Sequence, residues 1–200
     1  NVYTDNSGNS NTLSGVNTPT FVTNTPSTCA TNISSASVND GDNFIYEGLA
    51  TTNFSTDAAL TIGRNGAWIH RPLMKWTLPS LSGTIDKVTL FLYVGAITGS
   101  NTNTSVYEVL RSDMSPSQST WNMYKTSNNW TTAGAAGAGT DYNSTAVDTT
   151  AIPAVNNWHT FDLLGGSSDS PMTINWGDTI DLLLRGAVET GTNYVQYRSK

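Results

Sequence analysis

Short runs of alternating hydrophobic and polar residues dominate the chain from residue 39 onward. In "PLMKWTL" (72–78), Met74, Trp76 and Leu78 share one parity, while Leu73, Lys75 and Thr77, with Arg71 just before them, share the other. In "KVTLFLYV" (87–94), Val88, Leu90, Leu92 and Val94 alternate with Thr89, Phe91 and Tyr93. Successive side chains of a strand point to opposite faces, so a period of two reads as a half-buried strand. On this reading the basic residues and Phe91 and Tyr93 point outward, away from the core. The runs "NFIYEG", "ALTIGR", "TSVYEVL", "HTFDLL", "DTIDLLLRGAV" and "YVQYRS" are equally β-rich and are bounded by Gly, Pro, Asn or Asp. A 3.6-residue stripe of useful length is missing, and "TTAGAAGAGTD" carries too many glycines for a helix. Short strands separated by turn signals predict an all-β fold, an antiparallel β-sandwich of jelly-roll type.

Residues 1–38 break this pattern. They are dominated by Asn, Ser and Thr, with Pro19 and Pro26 and few apolar positions. They read as an extended N-terminal arm or linker, in which "TFVTN" (20–24) and "ATNISSASV" (30–38) could each give one short strand. The expected organisation is therefore an arm over 1–38 and one jelly-roll domain over 39–200.

Composition sharpens this picture. The chain has 200 residues, enough for one β domain, and 37% hydrophobic content can build a core. Only 12% of residues are charged, about half the usual share of roughly 25%. The polar surface is therefore Asn, Ser and Thr, residues that favour turns and strand edges over helix interiors. A net charge of −6 argues against a nucleic-acid partner and fits a neutral or weakly charged ligand, sugars included. Cys29 is the sole cysteine, so no intrachain disulfide can form. It reads as a small semi-buried residue or as one half of an intermolecular bridge. No apolar run approaches the roughly 18 residues of a membrane helix. No signal peptide is visible, and the chain starts at Asn1 rather than Met, as a processed terminus or a fragment would.

The stretch 61–78 gathers Arg64, His70, Arg71 and Lys75 in a chain with nine Lys and Arg in all. Catalysis is not the reading we adopt. A nucleophile needs an activating base and an orienting group, and neither His70 nor His159 lies in a spacing that supplies them. No pair of carboxylates is marked by its context as a glycosidase pair. A metal is a second candidate: "NDGDN" (39–43) sets Asp40 and Asp42 two apart around Gly41, hard oxygen ligands that suit a structural Ca²⁺. The same residues equally suit an Asx-rich turn entering a strand. Asp57 and Asp181 could add ligands only if the fold brings them near. The third candidate is a sugar surface. Aromatic faces stack on the C–H face of a pyranose ring, while Arg and Lys bond hydroxyls or a uronate carboxylate. Outward Arg71 and Lys75, with Phe91 and Tyr93 on the following strand, could form such a surface, and Arg64, Tyr46 and Tyr107 could extend it. The competing reading is a wet sheet face, with basic stems lying over aromatics, or a contact with the arm.

Several of these segments resemble a known family. "RPLMKWTLPSLSGTIDKVTLFLYV" is similar to the stretch of DNRLRE-type (disaggregatase-related) domains in which an Arg and an apolar-Lys-aromatic strand lead into a Leu-Pro-Ser-Leu turn. "STWNMYKTSNNWTTAGAAGAGTDY" resembles the family's Thr-Trp-Asn segment with its Ala-Gly run ending in Asp, and "DNFIYEG", "WHTFDLL", "DLLLRGAV" and "YVQYRSK" resemble further strands. The resemblance covers roughly 39–200. It implies a jelly-roll sandwich of the kind found beside catalytic domains in secreted polysaccharide-degrading enzymes, and in cell-surface and phage structural proteins. It also implies that Trp121 and Trp130 are core and loop pins, as Trp158 and Phe161 look to be from their own segment. A further strand is expected after residue 200, so the closing run would leave an exposed edge that another segment could fill.

Two functions follow as expectations. The preferred one is a non-catalytic extracellular carbohydrate-binding module that stacks a polysaccharide on aromatics and bonds it with Arg and Lys. The alternative is a structural subunit of an extracellular assembly at a virion or cell surface, such as a capsid decoration protein, fibre or surface filament. It would be a homo-oligomer that exchanges its arm or a strand with neighbouring subunits.

Overall fold

A computed structural model describes residues 3–4, 12–13, 41–100, 102–164 and 169–199. The chain divides into two compact units, 1–32 and 33–200. In the first, β1 (Tyr3–Thr4) pairs antiparallel with β2 (Thr12–Leu13). The runs 20–24 and 30–38, Cys29 and Asp40 lie outside the described residues.

The second unit is an antiparallel β-sandwich of jelly-roll type. Among the described residues its helical content is a single 3₁₀ turn at Glu47–Leu49. All eight β-rich runs are strands: β3 (Asp42–Tyr46), β4 (Ala59–Asn65), β5 (Trp68–Thr77), β6 (Thr89–Thr98), β7 (Asn103–Glu108), β11 (Trp158–Asp162), β12 (Thr179–Gly186) and β13 (Asn193–Arg198). The sequence pattern misses three short ones: β8 (Met123–Lys125), β9 (Asn128–Asn129) and β10 (Asp148–Ala151). Too short to show a period, they are set by what they pair with.

The strand order is β10-β7-β12-β5-β4-β13-β6-β11, with β3 on the free side of β5. The ten-residue β5 turns this ribbon into two layers. Its start pairs with β4 (Asn65↔Trp68) and its end with β12 (Leu182↔Met74, Thr179↔Thr77). The first layer is β10-β7-β12-β5-β3; the second is β4-β13-β6-β11 with the start of β5. The far edges of the ribbon meet where Thr150 of β10 bonds across to His159 and Thr160 of β11. The closing run is not an edge, because β13 is paired on both sides, with β4 and β6.

Between the layers lies the main core, with Leu60, Ile62, Met74, Leu90, Leu92, Val94, Phe161, Leu182, Leu184 and Val195 all buried. The residues assigned inward on β5 and β6 are there: Met74, Leu78, Leu90, Leu92 and Val94. A second cluster forms on the outer face of the first layer. Ile45, Leu73 and Leu183 are roofed by Val109, Met114, Trp121, Trp130, Ala135 and Tyr142, which belong to the long segment between β7 and β10. Burying such side chains stabilises by about 1.5–3 kcal/mol each, which is why this roof closes over the sheet.

The roof is held by one carboxylate. Asp141, fully buried, accepts N–H bonds from Thr131 (2.8 Å), Thr132 (3.1 Å) and Gly137 (3.1 Å) and pairs with Arg111 at 2.9 Å. Burial alone would raise its pKa, but these donors outweigh that and hold it below the usual aspartate value. Gly134 sits at φ +78°, where a Cβ would meet the Trp121 ring at 2.5 Å, so the turn under Trp121 requires glycine. The Ala-Gly run is thus a packed turn, as its glycine content suggests. Trp121 and Trp130 are pins, the latter donating from its indole N–H to the Thr120 carbonyl at 3.1 Å.

Candidate functional site

Alternation places Phe91 and Tyr93 on the outer face of the second layer, and the structure leaves them there. Phe91 is 57% exposed. Its neighbours Leu90, Leu92 and Val94 are buried. Across the ladder from β6, Trp158 of β11 is the partner of Tyr93, and Thr160 the partner of Phe91. Trp158 is 61% exposed and meets the Tyr93 ring edge-to-face, with centroids 5.2 Å apart. From the other side, β13 sends Arg198 over the same ring, its guanidinium carbon 4.8 Å from the centroid. The Arg198 stem passes over Gly95, where a Cβ would make ordinary van der Waals contact with Arg198 Cγ at 3.8 Å. Three strands therefore deliver Phe91, Tyr93, Trp158 and Arg198 to one outer face.

An exposed pair of aromatics flanked by a third and by an arginine is more apolar surface than solubility requires. Among the described residues Arg198 has no carboxylate in an ion pair, whereas Arg71, Lys75, Arg111, Lys125 and Arg185 each have one. Among the described residues no acceptor engages its N–H groups, which suits them to a ligand's oxygens, while the ring beneath holds the guanidinium plane. The arrangement offers flat π-surface for a ligand's C–H groups and a fixed fork of donors beside it.

Three of the other expected surface residues, Arg71, Lys75 and Tyr107, are placed elsewhere because their face is roofed. Arg71 is 5% exposed. It makes a two-pronged bond to Glu189 (2.8 and 2.7 Å), donates to the Gly134 carbonyl at 2.6 Å, and lies 5.4 Å from the Trp121 ring. Glu189 also pairs with Arg185 at 2.8 Å. Its burial works to raise its pKa, but the two guanidiniums prevail and hold it low. Lys75 pairs with Asp181 at 3.0 Å and donates to the Met114 carbonyl at 3.0 Å. Tyr107 packs edge-to-face on Tyr142 under the same roof. Arg71, Lys75 and Tyr107 thus do not join Phe91 and Tyr93. The expectation of one shared outward surface is corrected, since alternation separates two faces without saying what covers either. Tyr46, at the end of β3, is stacked on His70 at 4.3 Å, and Arg64 donates to the Gly66 carbonyl in the β4–β5 hairpin. Neither is brought to the Phe91 face.

Trp158 and Arg198 are the residues the sequence reading missed, and Trp158 corrects the structural role expected of it. Parity could have found both. In "WHTFD", Trp158 shares a face with Thr160 and Asp162, while His159 and Phe161 share the core face. In "NYVQYR", Arg198 alternates with buried Val195 and Tyr197.

Behind Trp158, His159 points inward into a chain of hydrogen bonds joining the two layers. Its Nε2 lies 2.7 Å from Thr150 Oγ1 and its Nδ1 2.6 Å from the Tyr197 hydroxyl, itself 3.1 Å from Thr104 Oγ1. Thr150 donates to the Thr160 carbonyl (3.4 Å). That ordering makes His159 Nε2 the donor to Thr150 and Nδ1 the acceptor from Tyr197, a neutral imidazole. Burial lowers the His159 pKa to about 4 and raises that of Tyr197.

For the calcium expectation, Asp42 is buried and accepts from Ser199 Oγ at 2.9 Å. Among the described residues no three His, Cys, Asp or Glu side chains group at metal-binding spacing; Asp57 does line the same cleft as Asp42, whereas Asp181 pairs with Lys75. Among the described residues, too, no helix is long and apolar enough to cross a membrane.

Residues 33–122, somewhat under half of the chain, match the sequence profile of carbohydrate-binding module family 96. The matched segment runs from ahead of β3 to Trp121 in the roof, and includes Phe91 and Tyr93 but neither Trp158 nor Arg198. This similarity supports a carbohydrate-binding module. No curated protein matches the chain.

Proposed function

We propose that this chain is a non-catalytic carbohydrate-binding module of an extracellular protein, and that it holds a polysaccharide on the face built by Phe91, Tyr93, Trp158 and Arg198. A module of the disaggregatase-related type is consistent with the strand and turn motifs of residues 39–200. The observation that carries the reading is the open aromatic face itself: large rings exposed on one layer, while the segment between β7 and β10 roofs the other. Sugar rings present C–H groups on one face and hydroxyls around the rim. Stacking on Phe91 and Trp158 would supply the contact area, and Arg198 would bond the rim oxygens. A binding site that is a rigid sheet rather than a mobile loop keeps the entropy loss on binding small.

Affinity electrophoresis through gels containing neutral and uronic polysaccharides tests this. The wild-type protein is expected to be retarded by at least one polymer. Phe91→Ala and Trp158→Ala, both at exposed positions, should run as in an empty gel while keeping the wild-type far-UV spectrum. Equal retardation of both variants and wild type in every gel would overturn the assignment of this face.

A further inference from the structure

We infer that the molecule carries a second saccharide site, a cleft at the start of β3, which takes a neutral sugar and acts independently of the aromatic face. The inference rests on the carbohydrate-binding reading above. The cleft measures about 720 Å³, room for a small saccharide. One wall is the segment Ser55–Asp57 and the other Asp113–Ser117; Asp42 and Lys75 are between them.

Two asparagines tie these walls together. Asn53 donates from its side-chain amide to the carbonyls of Pro116 (2.8 Å) and Ser119 (2.7 Å). Asn43 donates to Ser119 at both its carbonyl (2.9 Å) and its hydroxyl (2.8 Å), and accepts from the Phe54 N–H at 2.9 Å. Both rivets span more than sixty residues of sequence, so the cleft is preformed rather than a gap between two free loops. Lys75 is fixed as well, by Asp181 and the Met114 carbonyl.

The lining chemistry selects the ligand. It offers carboxylate acceptors from Asp42 and Asp57, with Asp113 already paired to Lys125, and hydroxyls from Ser55, Ser115 and Ser117. Among the described residues its one lining cation, Lys75, is already neutralised by Asp181. Carboxylates accept pairs of neighbouring hydroxyls and repel anions, so a neutral sugar fits and a uronate or sulfated one does not. Among the described residues no aromatic ring lines the cleft, so recognition there works through hydroxyls, where the Phe91 face works by stacking.

The test is a titration of the ¹⁵N-labelled protein, followed by amide shifts, with linear hexasaccharides of glucose, mannose, xylose and galacturonic acid, and separately with calcium chloride. At least one neutral hexasaccharide is expected to shift the amides of Ser55–Asp57 and Ser115–Ser117 in a saturable way, and galacturonic acid is not. Those shifts should persist in Trp158→Ala and weaken at least tenfold in Asp57→Ala, an exposed position. Shifts confined to Phe91, Tyr93 and Trp158 would overturn the second site and leave the module reading standing. Cleft shifts with calcium alone would overturn it as a sugar site, and so would an Asp57→Ala variant that binds as wild type. Silence at both places would overturn both proposals.

Discussion

A guanidinium buried against a carboxylate is stable only while both partners remain. Arg71 and Glu189 form such a pair, with Arg185 as a third member. Arg71→Ala would leave Glu189 buried with half its compensation and remove the stacking on Trp121. It is expected to destabilise the fold by about 3 kcal/mol in urea unfolding. Arg71→Lys keeps the charge but loses the fork, and should fall between the two. If Arg71 were a ligand residue on an open face, Arg71→Ala would unfold as wild type.

His159 carries a second expectation at this scale. In the unfolded chain its imidazole takes a proton near pH 6.5, and in the fold burial delays this to about pH 4. Between those values the unfolded state binds more protons, so stability is fully present above pH 6.5 and falls as the pH drops towards 4. Thermal unfolding at pH 7, 5.5 and 4 should show a decline in Tm of several degrees. His159→Gln should flatten that decline while lowering Tm at pH 7. His70, also held low by burial, leaves a remainder in the variant. An unchanged slope in His159→Gln would show that the buried imidazole is not its source.

At the scale of elements, the segment between β7 and β10 decides which sheet face is open. Gly134→Ala forces a Cβ into the Trp121 ring at a positive φ. It is expected to destabilise by roughly 3 kcal/mol, with the near-UV tryptophan signal altered. A neutral outcome would mean that the roof does not depend on that turn. The same segment marks the limit of what the sequence discloses. Strands β3 to β7 and β11 to β13 are legible because each is long enough to alternate. The inward parity of Leu90, Leu92 and Val94 followed directly from that. The roof is not legible, because its residues are Asn, Ser, Thr and Gly with single apolar anchors far apart, such as Met114, Trp121 and Tyr142. Leu73, fully buried on the supposedly wet face, was the one sign on β5 that something covers it. Half of the aromatic face, Phe91 and Tyr93, could be read from parity. Trp158 and Arg198 could be added only by knowing that β11 and β13 flank β6, a neighbour relation that local pattern does not encode.

At the largest scale, the β-sandwich unit is asymmetric. One layer of the sandwich is closed by a packed roof pinned through Asp141, Arg71 and two tryptophans, and its rim holds the riveted cleft. The outer face of the other layer carries exposed rings and an arginine without a carboxylate partner among the described residues. On the proposed reading, a low-charge chain of net −6 with such a face in water meets a surface with many hydroxyls and few charges of its own. The most direct test of that account is calorimetric titration with whichever polysaccharide retards the protein, run on wild type, Trp158→Ala and Trp68→Ala, since Trp68 is an exposed tryptophan elsewhere on the domain. The account predicts that Trp158→Ala loses at least tenfold in affinity, about 1.4 kcal/mol, while Trp68→Ala binds as wild type. Undiminished binding by Trp158→Ala would contradict it.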